Sequence, residues 1–326
     1  MKIRVLGGGF YGSHITLSLL RSGHNVQLHE ISDRLFSGAS GSIPARLHCG
    51  AHYPRSKLTR DACTEHYAEF MSVYGMFTNC VPINLYCIAA HDSLVDFGTY
   101  CHILRENVEF IRVVPREFGL ENVEGAILTG ERHILVDKLR DYFTKELDGY
   151  ISYSMPPIGD DNFDMTIDCT FCALDEINID RFELCLTVLL SGPVDKAVTI
   201  MDGPFPSLYP WNEEDDLCSL TSAKFTPLAR YKTWQEANIH LSTMTNGEVI
   251  DQTKDMIDQM RIYYPSISNY RVAGHKLAIR ALPRSSADER IIDVVQMSDK
   301  MIRIRAGKLD AIFHAEREVR KLIENT

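Results

Sequence analysis

Gly7, Gly9 and Gly12 stand as G-x-G-x-x-G directly after the short apolar run Ile3 to Leu6, and Glu30 ends a second apolar run that starts at Val26. In this order the residues describe a dinucleotide site. Gly7 allows a tight strand-to-helix turn, Gly9 lets a pyrophosphate approach the backbone, and Gly12 lets helix and strand pack closely. The helix N-terminus offers free N–H groups and a partial positive charge to the phosphates. Glu30 is placed to accept hydrogen bonds from the adenosine ribose and would repel a 2′-phosphate, which leaves FAD or NAD rather than NADP.

A second group of reactive side chains follows in "ISDRLFSGASGSIPARLHCGAHYPRS", residues 31–56, which has neither helical nor alternating period. Arg46, His48, His52, Tyr53 and Arg55 lie within ten residues of each other there. A long irregular stretch between ordered units usually binds something, and a cofactor-contacting loop is the reading adopted. His48 and His52 beside Cys49 fall short of the three or four ligands of a metal site, so no metal is expected. Histidines there suit proton transfer near neutral pH.

The elements that must position these groups follow from periodicity. Residues 57–76 read as a helix with Leu58, Ala62, Tyr67, Phe70, Met71 and Tyr74 on its apolar face, and 135–147 as an amphipathic helix. Between them lie short strands with a helix over 94–104. Strands resume at 150–154 and 164–171, the second ending at the cofactor. More strands are expected through 182–241, among them "ANIHLST" (237–243), while the proline- and aromatic-rich "PFPSLYPWNEEDD" reads as a stiff loop or pocket wall. Residues 247–263 form a helix stopped by Pro265. Strands at 270–280, 291–297 and 301–305 then lead through Ala306-Gly307-Lys308 into a last helix ending at Ile323, a second helix N-terminus suited to an electron-rich flavin edge.

The chain of 326 residues has room for two lobes, and 45% hydrophobic with 24% charged residues is an ordinary soluble composition. No apolar run approaches the roughly 20 residues that span a bilayer. The N-terminus enters a strand without a leader pattern, and nine scattered cysteines suggest a reducing compartment, so a cytoplasmic protein is expected. A net charge of −10 disfavours a general nucleic-acid binder. The end of the chain is nonetheless basic: from Arg271 on, 12 Lys and Arg stand against 8 Asp and Glu. Arg280, Arg284, Arg303 and Arg305 lie in or beside expected strands there.

Taken together, Gly7, Gly9, Gly12 and Glu30, the loop "SGASGSIPARLHCGAHYPRS", the strand "DMTIDCTF", "IRALPRSSAD" and "IRIRAGKLDAIFHAEREV" resemble the D-amino-acid-oxidase-like FAD enzymes, which include glycine, sarcosine and L-2-hydroxyglutarate oxidases. The resemblance implies an α/β fold: a Rossmann-like, glutathione-reductase-type FAD domain (1–76, 131–180 and 271–326) interleaved with a smaller α+β substrate domain (77–130 and 181–270) carrying a mixed or antiparallel sheet. Gly7, Gly9, Phe10, Tyr11, Gly12 and Glu30 would hold the ADP half of FAD. Ser40, Gly41 and Ser42, on to Pro44, would follow the pyrophosphate and ribityl chain, with Thr170 at the end of the third strand. Arg46, Leu47, His48 and His52 would approach the isoalloxazine ring. Ala306, Gly307, Lys308 and Leu309 would lie at its pyrimidine edge.

The same resemblance implies oxidation of the C–N bond of an amino acid or N-substituted glycine-like amine, by hydride transfer to the flavin. Arg280 would clamp the substrate carboxylate, and its planar, always charged fork suits that role. His48 or His52 would accept a proton or polarise the flavin, Tyr209 and Tyr53 would close the pocket, and Lys276 would aid reaction with oxygen. Arg284 is a second anion-site candidate. Three departures stand out: Phe171 where the third strand usually ends in glycine, a shorter chain, and no cysteine near Arg280 or Gly307, so non-covalent FAD is expected. The expected partner is a small anionic substrate; no membrane is involved, and a homo-oligomer is left open. The alternatives are a 2-hydroxy-acid dehydrogenase, an oxidase of an amino acid tethered to a modified nucleotide or glycan, an NAD-dependent reductase, and a non-catalytic FAD-binding subunit.

Overall fold

The computed structural model describes residues 1–155, 162–174, 176, 179–212, 214–283, 292–305 and 308–325. Ala306, Gly307 and Arg284 lie outside them.

The chain forms two large sheets. The first has six strands in the order Asp293–Ser298, Met301–Arg305, Met165–Asp168, Lys2–Leu6, Asn25–His29 and Ile151–Ser152. All neighbours are parallel except Asp293–Ser298, which runs antiparallel to Met301–Arg305. Val5 and Ile167 are fully buried, as befits strands covered on both faces. The register pairs Leu6 with His29 and with Asp168, so the residues that follow these three strands gather at one edge. That edge is where a doubly wound sheet binds its ligand.

Helix Phe10–Arg21 packs on this sheet together with Lys57–Tyr74, Val136–Glu146 and Ile312–Glu324. Phe10 sits at the centre of an aromatic cluster, its ring 5.8 to 6.0 Å from those of Phe36, Phe70, Tyr74 and Phe143. Beyond, a buried hydrogen-bond chain joins first and last helices: Tyr74 and Glu316 flank the His14 ring at 2.7 and 2.9 Å.

The second sheet has nine strands. Its main path runs Pro227–Tyr231, Ile179–Ser191, Leu217–Ser222, Pro206–Asn212, Lys196–Met201, Ile83–Ala89, Val123–Thr129 and Phe110–Val113, and Arg271–Pro283 pairs with Ile179–Ser191. A small third sheet joins Arg46–Leu47, Arg132–Ile134 and Thr78–Cys80, tying the long loop to the middle of the chain. No described helix is long and apolar enough to cross a membrane.

The mixed α/β architecture matches the expectation, with four local corrections. "ANIHLST" is not a strand but the body of helix Trp234–Thr243, started by a reciprocal capping box between Thr233 and Glu236. The stretch expected as a stiff loop or pocket wall does line the cavity, through Phe205 and Ser207, but as strand Pro206–Asn212 rather than a loop, because Ser207 and Leu208 pair with both neighbouring strands. Arg271–Pro283, grouped by sequence with the nucleotide domain, pairs from Arg271 to Pro283 with Ile179–Ser191 and so belongs to the second sheet. Helix Lys57–Tyr74 buries Cys63, His66, Phe70 and Tyr74, whereas Leu58 is exposed.

The closest backbone approach in the nucleotide motif yields a stability test. A Cβ on Gly12 would lie 1.9 Å from the Gly7 carbonyl oxygen, whereas one on Gly38 would meet nothing within 4 Å. Gly12→Ala is expected to lose about 1–3 kcal/mol or more of unfolding free energy, as overpacked sites do. Gly38→Ala should stay within about 0.5 kcal/mol of the parent. Equal denaturant midpoints for the two variants would overturn this.

Candidate active site

At the nucleotide end, Gly7 adopts φ +93° and a Cβ there would lie 2.8 Å from the Cys169 carbonyl oxygen. Gly8, which sequence spacing did not single out, is crowded by side chains instead: its Cβ would lie 2.6 Å from Leu35 and 2.8 Å from the Glu30 carboxylate. Glu30 is held by backbone N–H donors, from Gly8 at 2.5 Å and Ser32 at 2.8 Å. Gly9 caps helix Phe10–Arg21 without a side-chain cap. The Ser40 hydroxyl accepts from the Phe10 N–H at 3.0 Å, which draws the long loop over the helix start.

On the third strand, Asp168 accepts from the Thr170 N–H at 2.8 Å. Phe171, where a glycine was expected, and Cys172 both take left-handed backbone conformations, with φ +58° and +66°. The turn is therefore one that glycine favours, made with residues for which it costs about 1–2 kcal/mol each. A glycine cradle, a helix N-terminus and an oriented acid fit an ADP group.

At the other end stand Arg46, His48, His52, Tyr53 and Lys308. The Arg46 guanidinium donates to the hydroxyls of Thr199 at 3.1 Å and Ser207 at 2.8 Å, and stacks over the Tyr209 ring at 4.1 Å. His48 Nδ1 lies 3.3 Å from Glu131, which also accepts from Tyr86 Oη at 2.6 Å and the Cys49 N–H at 3.1 Å. Burial alone would raise the Glu131 pKa, but the His48 charge and the hydrogen bonds from His48 and Tyr86 outweigh it and bring it to about 2. The His52 ring lies 5.1 Å from that of His48. Burial foremost, then the charges of His48 and Arg46, lowers the His52 pKa well below its ordinary range, so His52 is neutral.

Lys308 lies 4.7 Å over the Tyr53 ring, 3.2 Å from the buried carboxylate of Asp310, and against the Cys63 thiol. Its backbone carbonyl accepts from the Tyr11 hydroxyl. Glu131, Asp310 and Cys63 were not found from sequence. Glu131 sits in a loop between two strands with no motif around it, and only the third sheet brings it beneath His48.

One cavity of about 1630 Å³ joins both ends. Its walls include Gly7, Gly9, Phe10, Tyr11, Glu30, Ser40, Thr170 and Leu309 on one side, and Arg46, His48, His52, Tyr53 and Lys308 further in. Thr187, Thr199, Ser207, Glu183 and Arg280 come from the second sheet. Gly12, Gly41, Ser42 and Leu47 are not in its wall; Leu47 is fully buried, and a Cβ on Gly41 would meet the Phe36 carbonyl at 2.0 Å.

Arg280 lines the cavity, but its guanidinium already holds the buried Glu183 carboxylate at 2.6 Å. Two further expectations change, those for Tyr209 and Lys276. Tyr209 is fully buried beneath Arg46 rather than closing the pocket, because its ring serves as the stacking platform. Lys276 pairs with Thr187 in the sheet and does not line the cavity.

The Glu131 pair generates a pH prediction. Its pKa falls from 4.5 to about 2 on folding, so the stabilisation is complete above the unfolded value and is lost as pH falls toward the folded one. That shift corresponds to about 3 kcal/mol. Unfolding free energy should drop by this order across that acid window, and by clearly less in Glu131→Gln, measured by urea titration at each pH. Identical acid slopes would remove Glu131 as the cause.

No family model matches the chain. It is 31% identical over 339 residues to the FAD-dependent monooxygenase FPY4 of Fusarium mangiferae, covering 99% of this chain and 91% of that one. To the FAD-dependent monooxygenase kojA of Aspergillus flavus it is 24% identical over 369 residues, covering 100% of this chain and 86% of the relative. Among solved structures, glycine oxidase from Geobacillus kaustophilus superposes with a TM-score of 0.73 at 13% identity, covering 99% of this chain and 94% of that one. L-proline dehydrogenase from P. horikoshii gives 0.69 at 12% identity, covering 99% and 92%. These structures establish a shared fold, and the first relative establishes kinship along nearly the whole length: the chain belongs to the family of FAD-dependent oxidoreductases represented by the monooxygenase FPY4.

Proposed function

We propose that this protein binds FAD non-covalently and oxidises the C–N bond of an amino acid or N-substituted glycine-like amine. The observation that carries this reading is the single cavity running from Gly9 and Glu30 to Arg46 and the His48–Glu131 pair. The fold shared with glycine oxidase and L-proline dehydrogenase, two proteins named for amino acids, supports it. FAD, when bound, supplies the two-electron acceptor.

The rest falls to the chain. Glu30 receives the ribose hydroxyls, and the N–H groups at the start of helix Phe10–Arg21 receive the pyrophosphate. Glu131 holds the Nδ1 side of His48, which leaves Nε2 as the atom that, in the unprotonated ring, takes a proton from the substrate ammonium. Thr187 lines the cavity from the second sheet, where Thr199 and Ser207 hold the Arg46 guanidinium.

A second reading comes from the sequence relatives, both named monooxygenases. In it an oxygen atom enters the product. The two separate in one experiment on the purified protein. Under the first, glycine, sarcosine or another amino acid bleaches the flavin absorbance without oxygen. Under the second, bleaching needs a nicotinamide reductant, and oxygen-18 from the gas appears in the product. Bleaching by L-2-hydroxyglutarate alone would move the assignment to C–O oxidation, and a protein that takes up no FAD would end both readings.

Two variants test the roles. Glu30→Ala should weaken FAD binding about 10- to 100-fold, the worth of hydrogen bonds to a charged group, measured by fluorescence on titrating the apoprotein. His48→Asn should slow substrate-driven flavin reduction about 10²- to 10⁴-fold, measured by anaerobic stopped flow. An unchanged rate would exclude His48 as the proton acceptor.

A further inference from the structure

The cations lining the cavity are not equivalent. Lys308 faces Asp310 at 3.2 Å, and Arg280 holds Glu183 at 2.6 Å. Arg181 is divided between Asp180 at 2.7 Å and Glu183 at 3.1 Å. Arg230 also reaches Glu183 at 3.1 Å with its side chain 60% exposed, so the surplus charge of that group falls where water screens it. Arg46 has no carboxylate partner among the described residues. It uses two of five N–H donors on the neutral hydroxyls of Thr199 and Ser207, and one face on Tyr209.

Position points the same way. Arg46 sits in the cofactor loop, yet its side chain crosses to strands Lys196–Met201 and Pro206–Asn212 of the second sheet. The guanidinium plane is fixed by two hydroxyls and an aromatic ring, on the cavity wall beside His48 and His52. A half-buried cation held so rigidly without an anion of its own is a receptor for one. Arg280, already neutralised, is suited to a carbonyl or hydroxyl oxygen instead.

We infer that Arg46, seated on Tyr209, Thr199 and Ser207, is the receptor for the substrate carboxylate, in place of Arg280. The inference rests on the amine-oxidising reading for the substrate but is tested by binding alone. Acetate, a carboxylate without an oxidisable amine, is titrated into the FAD-loaded protein, and the change in flavin absorbance and the shift in Tm are followed.

Saturable acetate binding is expected in the parent. Arg46→Met should weaken it about 10- to 100-fold, the worth of charge-assisted hydrogen bonds. Arg46→Lys should fall between, and Arg280→Met should change it less than about threefold. Tyr209→Leu, which removes only the platform, should also weaken acetate.

The proposal is overturned if Arg280→Met abolishes binding while Arg46→Met keeps it, if neither variant matters, or if the parent binds no acetate. It is also overturned if Arg46→Met alters sulfite addition to the flavin but leaves acetate binding intact, since Arg46 would then serve the flavin. A protein that binds acetate through Arg46 but is reduced by no amino acid keeps this inference and loses the amine reading. Reduction by an amino acid with acetate binding indifferent to Arg46 does the reverse.

Discussion

Helix Phe10–Arg21 lies against the first sheet because nothing projects at Gly12, where even a methyl group would strike the Gly7 carbonyl at 1.9 Å. Everything else hangs on that contact. It sets the height of the helix N-terminus above the ends of strands Lys2–Leu6, Asn25–His29 and Met165–Asp168. It also seats Phe10 in the aromatic cluster that carries helices Lys57–Tyr74 and Val136–Glu146. The glycine-turn end of the cavity and the main hydrophobic core are consequently two sides of one packing decision.

The end of the cavity around His48 and Lys308 is organised by buried charge. Glu131, Glu183 and Asp310 are each almost wholly withdrawn from water. A buried carboxylate is tolerable only when cations or hydrogen-bond donors answer it, and removing one partner leaves the other exposed to the full desolvation cost. Their partners come from distant parts of the chain: His48 for Glu131, Arg280 for Glu183, Lys308 for Asp310. Two of the pairs tie a cavity-wall residue to a carboxylate outside the wall, the third joins Glu183 and Arg280 within it, and the geometry of the site is held without a single covalent cross-link among the described cysteines.

The long loop between the second strand and helix Lys57–Tyr74 bridges the two sheets. Ser40 reaches back to the start of the first helix, Arg46 reaches forward to the second sheet, and His48 is anchored by Glu131 beneath the third. A loop so tied at three points behaves as part of the wall, and this is how a segment without regular structure can hold reactive groups in fixed positions.

Local sequence determined the nucleotide end. A tight turn, a close helix approach and an acid at the end of the next strand are requirements met within the first thirty residues, so Gly7, Gly9, Gly12 and Glu30 were legible from spacing, as were most helices from their apolar period. Short apolar stretches were less certain. "ANIHLST" went astray because a capping box outweighed strand-like composition, and "PFPSLYPWNEEDD" lines the cavity as expected but as a strand, since sheet pairing overrode its prolines. The other end of the cavity was decided by tertiary structure alone. Glu131 beneath His48, Glu183 against Arg280 and Tyr209 under Arg46 join residues 83, 97 and 163 positions apart. Whether an arginine is free or neutralised depends on what folding buries beside it, and periodicity along the chain carries no trace of a partner brought in from another sheet.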